Sequence, residues 1–248
     1  MIHTPLEQFE IVPLWSFGLG EKLAFTNSSF FLFVILFTIS ALMYLGITHQ
    51  AMIVPTRWQS LIESTYEFVY DMISDTIGTK GEKYFPFIYV TFIFIVASNL
   101  VGMTPYCFTV TSHILITFSL GMATFIGVNI VAFREHGLHF LSFFLPKEAP
   151  LALSPFLVMI ESISYIFRVF SLSIRLFANM MAGHTLLKIL AGFAWTMLSA
   201  GGIFYVLHLF PLAVVFALTG LELGIAALQA YVWTVLVCIY LADAINLH

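Results

Sequence analysis

The sequence predicts an all-α polytopic membrane protein: three spanning helices, one amphipathic surface helix, and a hairpin of two long, strongly tilted helices inside the membrane. Three observations carry this reading. First, 60% of the 248 residues are hydrophobic and 9% charged, against about 25% charged in a soluble domain, and the mean hydropathy is +1.01. Second, three apolar runs reach the roughly 20 residues that a transmembrane helix needs. Third, two further runs are too long to stand upright in a bilayer.

The elements follow in order, and residues 1–248 are read as a single membrane domain. Residues 1–29, with Pro5, Pro13, Gly18 and Gly20, read as an irregular or interfacial lead-in. The first ten residues lack the basic stretch, apolar core and small-residue site of a signal peptide, so no cleaved leader is expected. Residues 30–48 carry no charge and form the first span. In 56–79, Trp58, Leu61, Ile62, Val69, Met72, Ile73 and Ile77 recur at helical spacing, while Glu63, Glu67, Asp71 and Asp75 recur every four residues on another face. That pattern predicts an amphipathic helix on the membrane surface or against a partner, its acids forming a solvated stripe. Gly78 and Gly81 end it.

Residues 84–103 form the second span, with Pro86 in the first turn, where a missing N–H does no harm. Its lone amide, Asn99, is expected to hydrogen-bond to another helix. Residues 113–133 form the third span after an uncharged loop, 104–112. A mixed loop with Pro146 and Pro150 leads to 155–191 and then 211–245. As helices these would be about 55 and 52 Å long against a hydrocarbon core of about 30 Å. Gly192, Gly201 and Gly202 mark the connection between them. Arg57, Lys80, Lys83, Arg134 and Lys147 lie on one side, and loop 104–112 has no basic residue. The basic side is therefore expected to face the cytoplasm or matrix, with the N-terminus outward.

Composition narrows the function classes. A net charge of −4 without a basic run gives no support for nucleic-acid binding. Cys107 and Cys238 have no metal spacing; they read as a loop thiol and a packed one. His136 and His139 lack an evident third ligand, so neither a metal nor a cofactor is expected. No phosphate-binding glycine loop occurs.

The chemistry concentrates in the two long helices. Glu161, Arg168 and Arg175 are spaced by seven and share a face, with Asn179 one turn further and His184 beyond it. On the second helix Glu222, Gln229 and Asp243 share a heptad-related stripe. By topology, Glu161 and Asp243 lie toward the inner side, His184 and Glu222 toward the outer turn, and Arg175 between them. Carboxylates and histidine exchange protons in a usable range, whereas arginine stays charged. A proton thus has a way in at one patch and a way out at the other, with no direct relay past Arg175. The competing reading is an ion-paired network that joins helices. Ser164, Ser171 and Ala178, and Gly220 with Gly224, form small-residue faces, expected to serve tight helix packing, although a smooth surface also suits a moving partner.

The phrases Ser-Leu-Ser-Ile-Arg-Leu-Phe-Ala-Asn-Met-Met-Ala-Gly-His (171–184) and Leu-Glu-Leu-Gly-Ile-Ala-Ala-Leu-Gln-Ala-Tyr-Val-Trp (221–233) resemble subunit a of the F-type ATP synthase. The likeness extends from Pro-Leu-Glu-Gln-Phe-Glu (5–10) to Tyr-Leu-Ala-Asp-Ala-Ile-Asn-Leu-His (240–248), and the order of His184 and Glu222 is that of the mitochondrial form. The resemblance implies that Arg175 faces the proton-carrying carboxylate of a rotating c-ring. It implies that Asn179, His184, Glu222 and Gln229 serve a half-channel open to the intermembrane space, and Glu161 and Asp243 one open to the matrix. Arg168 matches a basic position of many members and is an accessory or helix-anchoring residue. The partners implied are the c-ring, peripheral-stalk and other membrane-sector subunits and the lipid bilayer, within a dimeric complex of the mitochondrial inner membrane; a bacterial plasma membrane is the alternative. The chain would take part in ATP synthesis only as the proton-translocating subunit. The rival classes are an ion transporter or respiratory-complex subunit with a buried Arg–Glu network, whose usual internal repeats are not found, and a structural membrane scaffold.

Overall fold

Backbone groups that water cannot reach must pair within their own segment, so the apolar runs fold as helices. A computed structural model of the chain describes residues 4, 6–16, 24–48, 55–104, 107–137, 139–140 and 154–245. Its helices are α1 (Asn27–Thr48), α2 (Arg57–Thr76), α3 (Phe85–Gly102), α4 (Ile114–His136), α5 (Ser154–Ala200), the short α6 (Phe204–Leu207) and α7 (Leu209–Ile245). Among the described residues, five helical stretches are long and apolar enough to cross a membrane. This is the polytopic all-α membrane protein that the composition predicts. Pro146, Lys147 and Pro150 of the mixed loop lie outside the described residues.

Three local expectations change. The lead-in is not irregular throughout: β1 (Pro13–Ser16) pairs antiparallel with β2 (Ala24–Thr26), after a short 3-10 helix, Glu7–Phe9. Asn27, the first residue of α1, holds the segment before this hairpin, its Nδ2 donating to the Glu10 carbonyl at 3.0 Å. The second correction concerns Gly192, which does not break the first long helix. α5 continues to Ala200 for 47 residues, and the reversal comes at Gly201 and Gly202, with φ of +69° and +63°. One glycine in a long helix costs only about 1 kcal/mol, whereas consecutive left-handed residues end it. Third, the small-residue faces do not pack against other described residues of this chain. Ser164, Ser171, Ala178, Gly220 and Gly224 are all exposed, and a Cβ on Gly220 or Gly224 would meet nothing within 4 Å among the described residues.

The chain divides into two compact units. One comprises Ile39–Phe94, Ile114–Arg175 and Tyr231–His248. There α2 starts at Thr56, whose side chain accepts from the Gln59 N–H at 3.4 Å. The helix buries Val69, Met72, Ile73 and Ile77 and exposes all four stripe acids. Trp58 and Leu61, expected on the apolar face, are exposed, and Gln59 is buried. Phe68 packs against Phe92 and Tyr231, both at 5.8 Å between ring centroids. α4 meets α5 closely at Gly121, where any Cβ would overlap the Ser173 hydroxyl.

The other unit comprises Met1–Thr38, Ile95–His113 and Leu176–Ala230. Asn99, fully buried on α3, donates from Nδ2 to the Ala226 carbonyl of α7 at 3.2 Å, the interhelical bond expected of it. α5 and α7 are antiparallel here: Asn179 meets Gln229, while Gly183, further along α5, meets Glu222, earlier on α7.

Candidate functional site

The unit that holds Leu176–Ala230 collects four of the predicted residues. α5 presents Asn179, Gly183 and His184, and α7 presents Glu222 and Gln229. The Asn179 amide donates to Gln229 Oε1 at 2.9 Å. Asn179, Gly183, His184 and Glu222 line one cavity of about 250 Å³, together with Met103, Leu218 and Ile225. Glu222 is 9% exposed, and neither carboxyl oxygen has a hydrogen-bond partner among the described residues. Most buried polar groups are satisfied, and one that is not calls for an explanation such as water or a transferable proton. Gly183 makes room for this acid: a Cβ there would lie 2.8 Å from Glu222 Cδ. Gln229 is buried as well, and its Nε2 is also unsatisfied among the described residues.

A second cavity, of about 830 Å³, shares His184 and Met103 with the first. Gln8, Asn27, Thr104, Cys107, Thr109 and Lys188 contribute to its lining. Sequence reasoning missed Thr109, whose Oγ1 lies 3.3 Å from His184 Nε2. The available signal was a loop without charges but rich in hydroxyls: Thr104, Thr109, Thr111 and Ser112.

The unit that holds Ile114–Arg175 and Tyr231–His248 collects the others. The Arg168 guanidinium lies 3.9 Å from Glu161 on its own helix and 3.5 Å from Asp243 on α7. It stands 5.5 Å from the Tyr165 ring centroid and 5.2 Å from that of Tyr240. These are ion-pair and cation–π separations, longer than hydrogen bonds. Tyr165 in turn donates its hydroxyl to Asn129 Oδ1 at 3.0 Å. The basic residue that gathers the two acids is therefore Arg168, whose sequence spacing alone reached only Glu161. Arg175 is exposed, and among the described residues it forms no ion pair. Its helical neighbours Leu172, Ser173 and Leu176 are buried, while Ile174, Phe167 and Phe170 are exposed.

His136, one of the two loop histidines, donates from Nε2 to the Ile245 carbonyl at 3.0 Å, near the end of α7. Among the described residues no group of three His, Cys, Asp or Glu side chains is arranged to hold a metal.

Comparison with known proteins agrees along the whole chain. The family model described as ATP synthase A chain matches residues 28–242. Similar proteins, each called ATP synthase subunit a, include that of Marchantia polymorpha, 54% identical with 100% of both chains covered. That of Chondrus crispus is 53% identical, with 100% of this chain and 98% of the relative covered. For Brassica napus the identity is 55%, with 99% and 97% covered. The exposed arginine, the buried acid in its cavity and the helices that carry them thus sit in a chain that belongs to the ATP synthase subunit a family.

Proposed function

We propose that this chain is the stator proton-channel subunit of an F-type ATP synthase, working as one membrane domain in the mitochondrial inner membrane. Asn179, His184, Glu222 and Gln229 form the outer half-channel, Glu161 and Asp243 the inner one, and Arg175 separates them. Arg168 is an accessory of the inner group. The observation that carries this reading is Glu222: a buried acid, unsatisfied among the described residues, lining one cavity with His184 and Asn179. An acid placed only to hold helices together would have a basic partner, and Glu222 has none among the described residues.

The physics follows from where charge is tolerated. A carboxylate on a c-ring that passes Arg175 is held ionised by the opposite charge. Beyond the arginine it meets the outer half-channel, takes a proton by way of His184 and Glu222, and becomes neutral. Only the neutral carboxyl turns cheaply into lipid. After nearly a full turn it reaches Glu161 and Asp243 and releases the proton inward. Each elementary charge that crosses about 100 mV contributes about 2.3 kcal/mol to that bias. The exposed small residues suit a turning partner: Ser171 and Ala178 flank the exposed Arg175 along α5, and Gly220 and Gly224 are exposed on α7. A 47-residue helix is about 70 Å long, so α5 must slant steeply to stay near a core of about 30 Å. Further contacts go to peripheral-stalk and other membrane-sector subunits and to lipid, in a dimeric complex.

The test is Glu222→Gln in the assembled complex, reconstituted in vesicles. Proton flux from the outer side is expected to fall by about two orders of magnitude, the usual weight of a proton-transfer group. Unchanged flux removes Glu222, and with it this reading of the cavity.

A further inference from the structure

We infer that Thr109 is the positioning residue of the outer half-channel, keeping His184 hydrogen-bonded in both of its protonation states. This rests on the assignment of His184 proposed above.

Thr109 is 5% exposed and sits between the end of α3 and the 3-10 turn Val110–Ser112. Its place is fixed from both sides. The Thr109 carbonyl accepts from Ser112 Oγ at 2.6 Å and from the Ser112 N–H at 3.2 Å. Its methyl group packs on Gly102, where an added Cβ would lie 2.7 Å from Thr109 Cγ2. The hydroxyl oxygen is 3.3 Å from the Gly102 carbonyl and 3.3 Å from His184 Nε2.

A threonine hydroxyl has one hydrogen and two lone pairs. When Nε2 carries a proton, it donates to Thr109 Oγ1, and the hydroxyl hydrogen goes to the Gly102 carbonyl. When Nε2 is bare, the hydroxyl turns and donates to it. Either way the ring keeps a partner at Nε2. A carbonyl in the same place serves only the protonated nitrogen, and an N–H donor only the bare one. His184 Nε2 thus keeps a partner whether or not it carries a proton, and only the hydroxyl's bond to the Gly102 carbonyl is exchanged; a buried ring nitrogen left unmatched would cost about 1–3 kcal/mol.

The placement fits an ordered path. Thr109 and His184 both line the larger cavity, and His184 also lines the smaller one with Glu222. The ionisable groups that share these two cavities with His184 are Glu222 from α7, Lys188 from α5 and Cys107, among the described residues. Thr109 adds no charge to this set; it holds the ring while the charges around it change.

The experiment compares Thr109→Val, Thr109→Ser and His184→Ala in the assembled complex in vesicles, reading proton flux against outer-side pH. Thr109→Val is expected to lower flux roughly fivefold or more, the factor worth one such hydrogen bond, and to displace the pH profile. Thr109→Ser keeps the hydroxyl and is expected to restore both rate and profile. A valine variant with wild-type rate and profile overturns the inference, and so does a serine variant as impaired as valine. If Thr109→Val does not assemble, Thr109→Ala replaces it under the same criteria. Full flux in His184→Ala overturns the half-channel assignment itself; impaired His184→Ala beside normal Thr109→Val overturns only the role of Thr109.

Discussion

The two polar groups on α5 and α7 are built by opposite chemistry. The group that holds Glu222 is built from neutral or weakly basic partners: an Asn–Gln hydrogen bond and a histidine that meets a threonine hydroxyl and lines two cavities. Around Glu161 and Asp243 a fixed cation stands between the acids, faced by two tyrosine rings. One group leaves its acid without a hydrogen-bond partner among the described residues. The other sets its two acids beside one arginine at ion-pair distance. On the proposed reading the same helix pair carries the uptake group at Glu222 and, beside a resident arginine, the release group at Glu161 and Asp243.

Substitutions break or sharpen that contrast, and they rank by size. Gly183→Ala puts a methyl group where Glu222 lies. Overpacking of this kind costs about 1–3 kcal/mol, so a lower melting temperature of the purified complex and a loss of outer-side proton uptake are expected together. Arg168→Gln removes the cation between Glu161 and Asp243. These acids are 37% exposed, and the arginine 24%, so solvent screening reduces the loss to about 1–2 kcal/mol, between the values for surface and buried pairs. Inner-side release is expected to slow while outer-side uptake persists; equal damage to both sides would erase the contrast. Asn179→Ala removes the donor to Gln229 and is expected to cost about 1 kcal/mol, read as a small shift in thermal stability.

Gly220→Ala is the smallest in stability terms. Among the described residues nothing lies within 4 Å of the new methyl, so a change within about 0.5 kcal/mol is expected. A drop in turnover at unchanged stability would show a partner running along this face, while unchanged turnover would count against it.

Much of this was legible because charge in an apolar run is conspicuous. Glu161, Arg175, Glu222 and Asp243 stand out against the composition, and the spans follow from hydropathy alone. The pairing of Arg168 with Asp243 was not legible, because it joins two helices and no local period encodes it. Thr109 was hidden for a related reason: it is 75 positions from His184 along the chain, in a loop whose uncharged residues read as a plain connection. Gly192 misled because its helix-breaking tendency is small beside the continuing apolar run. The strands at Pro13–Ser16 and Ala24–Thr26 are too short to show alternation. The exposure of Gly220 and Gly224 depends on what packs where, which spacing leaves open.

The central claim is that Arg175 divides the two half-channels and faces an ionised carboxylate on another subunit. The most direct measurement is Arg175→Ala in the assembled complex, with ATP synthesis, passive proton conductance and soluble-sector ATP hydrolysis read on the same vesicles. The account predicts that proton-coupled synthesis is lost and conductance rises while hydrolysis remains. Coupled synthesis retained at the wild-type rate would contradict it.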